Sequence, residues 1–169
     1  MASLRSRRRV PRILAPLTAG IALSLAMAST ASAQLAPTTT PPPATAADTA
    51  GIRSAALDYI EGWYAADGAR MERALHPELA KRNVSTNAQG QSRLQQMSAM
   101  TLVQSTRKGG GSNIPVDRRK SDVRVLDIYG GAASVRVTAA TWIDYMHLVK
   151  FNGRWVILNV AWENDPPAP

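Results

Sequence analysis

The chain has 169 residues, 20 Lys+Arg against 12 Asp+Glu, a formal net charge of +8, and no cysteine. The missing thiols exclude disulfides, thiolate metal sites, a cysteine nucleophile and lipid anchoring at a signal cysteine, and they suit an oxidising compartment. The excess charge does not point to nucleic acid, because Arg5, Arg7, Arg8, Arg9 and Arg12 supply five of the positive charges; without them 15 basic side chains stand against 12 acidic ones, a net +3. The one dense basic run left, Arg118-Arg119-Lys120, is flanked by Asp117 and Asp122 and reads as a solvated loop.

Those five arginines open a three-part export signal. An uncharged Leu- and Ala-rich stretch, Ile13 to Met27, follows them and is too short to remain in a bilayer. Ala31-Ser32-Ala33 then offers the small-x-small pattern of a signal peptidase site, which predicts cleavage after Ala33. The expected location is exported, periplasmic or extracellular in a bacterium, with no stable membrane insertion once the signal is gone. Arg7-Arg8 hints at twin-arginine export, but Pro11 and the absence of the usual bulky residue favour the ordinary route. Residues 34–49 are rich in Ala, Thr and Pro, too poor in apolar surface to order themselves, and predict an extended linker. The domain is expected over 50–163, with a disordered tail at 164–169.

Within the domain the apolar period is first helical. Ile52, Ala56, Tyr59 or Ile60, and Trp63 recur three and four residues apart, leaving Arg53, Asp58 and Glu61 elsewhere around the cylinder. Asp67-Gly68 ends this helix. A short second helix through Met71, Ala74 and Leu75 stops at His76-Pro77, because a residue before proline avoids the α region. A third helix is predicted over Ser92 to Thr106, and Gly109-Gly110-Gly111 reads as a flexible connector. From Ser121 the period becomes two. Val123 to Tyr129 and Ala133 to Ala139 are separated by Gly130-Gly131, and Tyr145 to Phe151 and Arg154 to Trp162 flank Asn152-Gly153, a strong hairpin signal because both residues tolerate positive φ. The predicted fold class is α+β, three N-terminal helices packed on a curved antiparallel sheet.

The order of these parts resembles the nuclear transport factor 2-like superfamily, the cone-shaped α+β fold that also includes SnoaL-like and ketosteroid-isomerase-like proteins. Within it, the chain is most similar to the branch named "putative lumazine-binding". The resemblance rests on Tyr59-x-x-x-Trp63, Leu75-His76-Pro77-Glu78-Leu79, Tyr145-Met146-His147-Leu148-Val149-Lys150, Asn152 to Asn159, and Trp162. It implies a cavity inside the cone but no single function, since the superfamily spans isomerases, dehydratases, transport adaptors and proteins without known activity. Its isomerases carry a tyrosine in the first helix, for which Tyr59 would stand, and a catalytic carboxylate on the segment after the second helix. Here that segment reads Leu79-Ala80-Lys81-Arg82-Asn83-Val84 and holds no acid, which argues against isomerase-type proton abstraction; Asp127 and Asp144 are possible substitutes that nothing in the sequence brings near Tyr59.

Among titratable residues His147 stands out as the candidate catalytic group, since an imidazole titrates near pH ~6.5 and can give or take a proton. Tyr145, His147 and Val149 share one strand face and Asp144 and Met146 the other. A cone lined by Tyr145, His147 and Asn159, with Tyr59 and Trp63 from the first helix and His76 at the mouth, would make a small-molecule pocket. Each histidine also has a plain structural role open to it. His147 can be hydrogen-bonded on a packed sheet, and His76 can cap a helix end. Trp155 and Trp162, of opposite parity, would place a large ring on each side of the sheet, so the uncovered side favours a homodimer through the sheet face. No metal, phosphate or nucleotide motif occurs, and no cofactor is expected. The leading expectation is a non-catalytic exported domain binding a small, partly apolar or aromatic molecule. The alternatives are an acid-base enzyme (isomerase, dehydratase or hydrolase) using His147, and a protein-interaction module.

Overall fold

A computed structural model describes residues 42–165; the expected signal, the linker up to residue 41 and the tail from residue 166 lie outside the described residues. Helix α1 spans Ala46–Ala65 and so begins inside the stretch expected to be linker. Its start is written in a capping box: Thr45 Oγ1 accepts from the Asp48 backbone N–H at 3.1 Å, and the Asp48 carboxylate accepts from the Thr45 N–H at 3.1 Å. Ile52, Ala56, Tyr59 and Ile60 are buried as the spacing predicts, and Trp63 is half-buried. The helix ends where Ala66 turns left-handed at φ 56, and Asp67 caps α2, Gly68–Ala74, by accepting from the N–H groups of Ala69 and Arg70.

The chain then runs straight into β1, Leu75–Thr86, which turns back as β2, Ser92–Ser98, before α3, Ala99–Arg107. The third helix expected over Ser92 to Thr106 is therefore half strand. Asn87 decides this, because its side-chain oxygen accepts from the N–H groups of Gln89 and Gln91 and, with Gly90 at φ 78, folds a turn that sets Leu94 opposite Val84. Ser98 then caps α3 by accepting from the Thr101 N–H at 3.2 Å. The helical periodicity of Leu94 and Met97 is overridden by pairing along the hairpin.

After a loop with one 3-10 turn, Val116–Arg118, come β3 (Asp122–Tyr129), β4 (Ala132–Thr138), β5 (Trp142–Phe151) and β6 (Arg154–Asn164). Gly130 at φ 55 makes the first tight turn, and Asn152 at φ 49 with Gly153 at φ 80 makes the second, as expected of their residue types. The six strands form one sheet in the order β2-β1-β6-β5-β4-β3. It is not wholly antiparallel: β1 pairs with β6 in parallel, because the β1–β2 hairpin and α3 intervene before the meander returns. Strand β6 continues to Asn164, and the Asp165 N–H donates to the Thr141 carbonyl at 2.8 Å, so the fold reaches into the expected tail.

The core lies between the helices and one face of the sheet, with Ile52, Ile60 and Met71 meeting Val135, Val137, Met146, Leu148 and Ile157. A bulge at Leu158 fixes which residues of β6 face it. His147 pairs with Asn159 but Leu148 pairs with Ile157, so the side-chain alternation shifts by one. Trp155 and Trp162 therefore end on the same, helix-covered side. Trp155 packs against Gly51 of α1, and Trp162 sits beside Tyr59 and Lys81. The expectation of one large ring on each side of the sheet fails here, and with it the premise that the open side needs an apolar cover.

Candidate functional site

Inward-facing positions of the strands should be apolar, and two are not. On β1, Leu79 is buried and the next inward residue is Lys81, only 6% exposed. On β5 the inward set is Asp144, Met146 and Leu148, with Asp144 0% exposed. A lone buried charge would cost several kcal/mol, so each requires its partner, and the two meet. The Lys81 ammonium donates to Asp144 Oδ1 and, at 2.7 Å, to the Tyr59 hydroxyl. Tyr59 in turn donates to Asp144 Oδ2 at 3.2 Å, and the Trp142 indole N–H donates to the same oxygen at 2.8 Å. The ammonium also lies 5.1 Å from the ring centre of Trp162 and 5.4 Å from that of Tyr59, in reach of both π faces.

The local sequence positions each member. Tyr59 is on the buried stripe of α1, Lys81 is two residues past Leu79 on β1, and Trp142 and Asp144 are alternate residues of β5. Burial lowers the proton affinity of Lys81, opposed by the charge and hydrogen bond of Asp144. Burial, then the neighbouring Asp144 charge, pushes the Tyr59 phenol well above its usual range, so it stays neutral and able to donate.

This network forms one wall of a cavity of about 410 Å³, in the size range of small-molecule sites. Trp63, Trp142 and Trp162 supply aromatic walls, Met97, Leu102 and Ile114 aliphatic ones, and Asn113 and Asn164 neutral polar groups. Lys81 is the one charged side chain among the described lining residues. The triple glycine is part of the wall rather than a loose connector. The Gly111 N–H donates to the Trp63 carbonyl at 2.9 Å, and a Cβ on Gly111 would stand 2.6 Å from the Trp63 indole.

Of the residues singled out in the sequence, the structure brings Tyr59 and Trp63 to this cavity and leaves the others elsewhere. His147 is exposed on the opposite face of the sheet, paired across strands with Asn159. Tyr145 is 52% exposed on that same face. The two parity sets of β5 are as expected but their sides are exchanged: Met146 and Leu148, with Asp144, are drawn under the helices, and Tyr145, His147 and Asn159 are turned away. His147 therefore stands outside the cavity, and an acid-base role for it there has no geometric support. His76 does not line the cavity; its Nδ1 accepts from the Glu78 N–H at 3.1 Å and its ring is set edge-on to Phe151 at 4.5 Å. Lys81, Trp142 and Trp162 line the cavity without sequence reasoning having placed them there, and Asp144 stands behind Lys81 as its buried partner. The sequence signal for the face of Asp144 lies in Met146 and Leu148, two aliphatics that share its parity on β5. Among the described residues no group of three His, Asp or Glu side chains is arranged to hold a metal ion, and no helix is long and apolar enough to cross a membrane.

A curved sheet closed on one side by three helices, with a cavity between them, defines the cone of the nuclear transport factor 2-like superfamily. The chain belongs to the family described as "Putative lumazine-binding", whose sequence profile matches residues 47–163. Solved structures agree in fold. An NTF2-like protein of unknown function from Methylobacillus flagellatus KT superposes with a TM-score of 0.56 at 18% identity, over 76% of this chain and 100% of its own. Another from Shewanella baltica OS155 gives 0.54 at 18% identity, over 74% and 99%. A third, from Silicibacter pomeroyi DSS-3, gives 0.52 at 12% identity, over 72% and 99%. At these identities the likeness is one of fold. No protein among those with curated descriptions is a significant match to the chain.

Proposed function

We propose that this domain binds a small, flat, partly apolar molecule in the cone, held between indole faces and oriented by Lys81. The observation that carries the reading is the cavity of about 410 Å³, in which one hydrogen-bonded ammonium is set into a wall of tryptophan and tyrosine. Aromatic walls favour a planar ring by stacking, and a single buried donor selects an oxygen or ring-nitrogen acceptor in its plane. The family's name directs the first trial to lumazine, a planar bicycle rich in such acceptors. Titrating the mature protein with lumazine while recording tryptophan fluorescence should give saturable quenching that weakens on Trp162→Ala. Native mass spectrometry of the purified protein should reveal any molecule carried through purification. No quenching by lumazine or other planar heteroaromatics, together with no co-purified molecule, sinks the reading.

The setting of that function is part of the proposal. Export rests on the basic, apolar and small-residue segments of the first 33 residues. An N-terminus at Gln34 in protein recovered from outside the cytoplasm is the expected result. A homodimer through the sheet remains the favoured assembly on a narrower ground than two-sided apolarity: Val84, Leu94 and Tyr145 line one shallow groove and are each about half exposed. Light scattering of the mature protein should give twice the chain mass; the chain mass alone removes the dimer.

A further inference from the structure

We propose that Lys81 is a nucleophilic amine that captures an aromatic or conjugated aldehyde or ketone in the cavity as a protonated imine, with Asp144 and Tyr59 moving the protons. This rests on the reading of the cavity as a small-molecule site and names the chemical class that the site would take.

A lysine meant only to attract an acceptor works best with its charge unopposed. Here the charge is already matched by Asp144, and two of the three ammonium hydrogens are engaged by Asp144 and Tyr59. The same contacts are what imine formation requires: a base touching the ammonium, a hydroxyl touching the nitrogen, and a wall that keeps water out. Asp144 Oδ1 is the base, and the Tyr59 hydroxyl stands 2.7 Å from Nζ and 3.2 Å from Asp144 Oδ2, so all three groups share one hydrogen-bonded circuit. The rings of Tyr59 and Trp162 cover the nitrogen from two sides, leaving the cavity as its approach. The lowered proton affinity of Lys81 acts in the same direction, since the free amine is the nucleophile.

The step balances without an outside reagent beyond the carbonyl compound. Asp144 takes one proton from the Lys81 ammonium. The nitrogen lone pair forms a bond to the carbonyl carbon while the carbonyl π pair moves to oxygen. Tyr59 gives its proton to that oxygen and takes one from the nitrogen, leaving a neutral carbinolamine. Protonated Asp144 then gives its proton to the hydroxyl, which leaves as water as the nitrogen lone pair closes the C=N bond. The ammonium and the carbonyl compound have become a protonated imine and water, and Asp144 is again the anion paired with the positive nitrogen.

The test uses the mature full chain and two matched probes. The first, 2-naphthaldehyde with sodium cyanoborohydride, fixes any imine as a secondary amine that intact mass and peptide mapping can locate. The second, 2-naphthalenemethanol, has the same ring without the carbonyl and reports entry to the cavity by tryptophan quenching. The expected result is one adduct, on Lys81, formed roughly tenfold or more faster than on Lys108, Lys120 or Lys150, and suppressed by excess alcohol. Tyr59→Phe should slow the labelling by more than it weakens quenching by the alcohol. If the alcohol quenches saturably while Lys81 labels no faster than the other three lysines, the imine inference is wrong and the binding reading stands. If the alcohol does not quench and no lysine is preferred, this inference falls, and the binding reading falls with it when lumazine also fails to quench and no molecule co-purifies. Selective labelling of Lys81 sustains the inference whatever the alcohol does.

Discussion

The two faces of strand β5 carry opposite chemistry and do opposite work. Tyr145, His147 and Val149 offer an aromatic ring, an imidazole and a β-branched chain, and they look outward; Asp144, Met146 and Leu148 offer a carboxylate and two aliphatics, and they are buried. The face richer in familiar catalytic chemistry is the one away from the cavity. What puts Asp144 inside is its apolar neighbours, and what makes it tolerable there is Lys81 from β1, aided by Tyr59 and Trp142. A polar group in a core is informative because it could stay only with partners already in place.

The largest expected effect tests that statement directly. Asp144→Ala leaves the Lys81 ammonium buried without its counter-charge and removes the acceptor of Tyr59 and Trp142, and should cost about 3–5 kcal/mol in denaturant unfolding. Lys81→Met in the Asp144→Ala background should restore much of that loss, because the uncompensated charge is then gone. A loss under about 1 kcal/mol for Asp144→Ala would mean that Lys81 is solvated and the inner face is not closed. Next in size is Gly111→Ala, whose new Cβ would meet the Trp63 indole at 2.6 Å and the Tyr64 ring at 3.2 Å. Overpacking there should cost about 1–3 kcal/mol and weaken ligand quenching as the Trp63 wall moves. Unchanged quenching would remove the glycine turn from the site.

These contrasts also mark how far the sequence could be read. The turn chemistry of Gly130 and of Asn152-Gly153 is local, so it was legible without the rest of the chain, and so was the buried stripe of α1. The half-helix, half-strand character of Ser92 to Thr106 was not legible from period alone, because Leu94 and Met97 fit a helix and only pairing with β1 makes them a strand. The bulge at Leu158 leaves no mark in the apolar pattern, yet it reverses the side on which one of the two tryptophans lands. Of the candidate site, Tyr59 and Trp63 were visible because helix α1 presents them by its own periodicity. The pairing of Lys81 with Asp144 was not, since the two residues lie 63 positions apart on strands that are not neighbours in the sheet.

A smaller effect separates the cavity network from two ion-pair clusters elsewhere around α1, one at Asp48 and one at Asp58. Asp48 accepts from Lys150, from Thr45 and from the Trp155 indole, and Lys150 above all holds its carboxyl well below the usual range. Asp58 is pushed up by its partial burial but brought down further by Arg73 and Arg70, with a net lowering. Both groups have folded values below the unfolded ones, so the stability they add is full above the unfolded carboxylate pKa near ~3.9 and is lost as pH falls through the folded values. Urea midpoints should accordingly stay level from neutral pH down to about 5 and then fall, and Asp48→Asn should flatten that fall. A midpoint that declines equally in the Asp48→Asn and Asp58→Asn proteins as in the parent would remove both clusters as its cause.

The smallest expected effect is the one that decides between the faces. His147→Ala removes an exposed side chain whose cross-strand neighbour is Asn159, so unfolding should shift by no more than about 0.5 kcal/mol and quenching by lumazine should be unchanged. The value of the variant lies in the combinations it permits. Lost ligand binding with intact stability would mean that the outward face, not the cone, holds the site, and the assignment of Lys81 and Asp144 would be wrong. Intact ligand binding with a shift from twice the chain mass to the chain mass would instead make His147 and its neighbours a contact between copies, giving the outward face a use that leaves the cavity assignment in place. Because Asp144 is three residues from His147 and points the other way, the same pair of measurements on Asp144→Ala should show the reverse pattern: unfolding strongly shifted, quenching lost, and the assembly changed only as far as the fold itself is weakened.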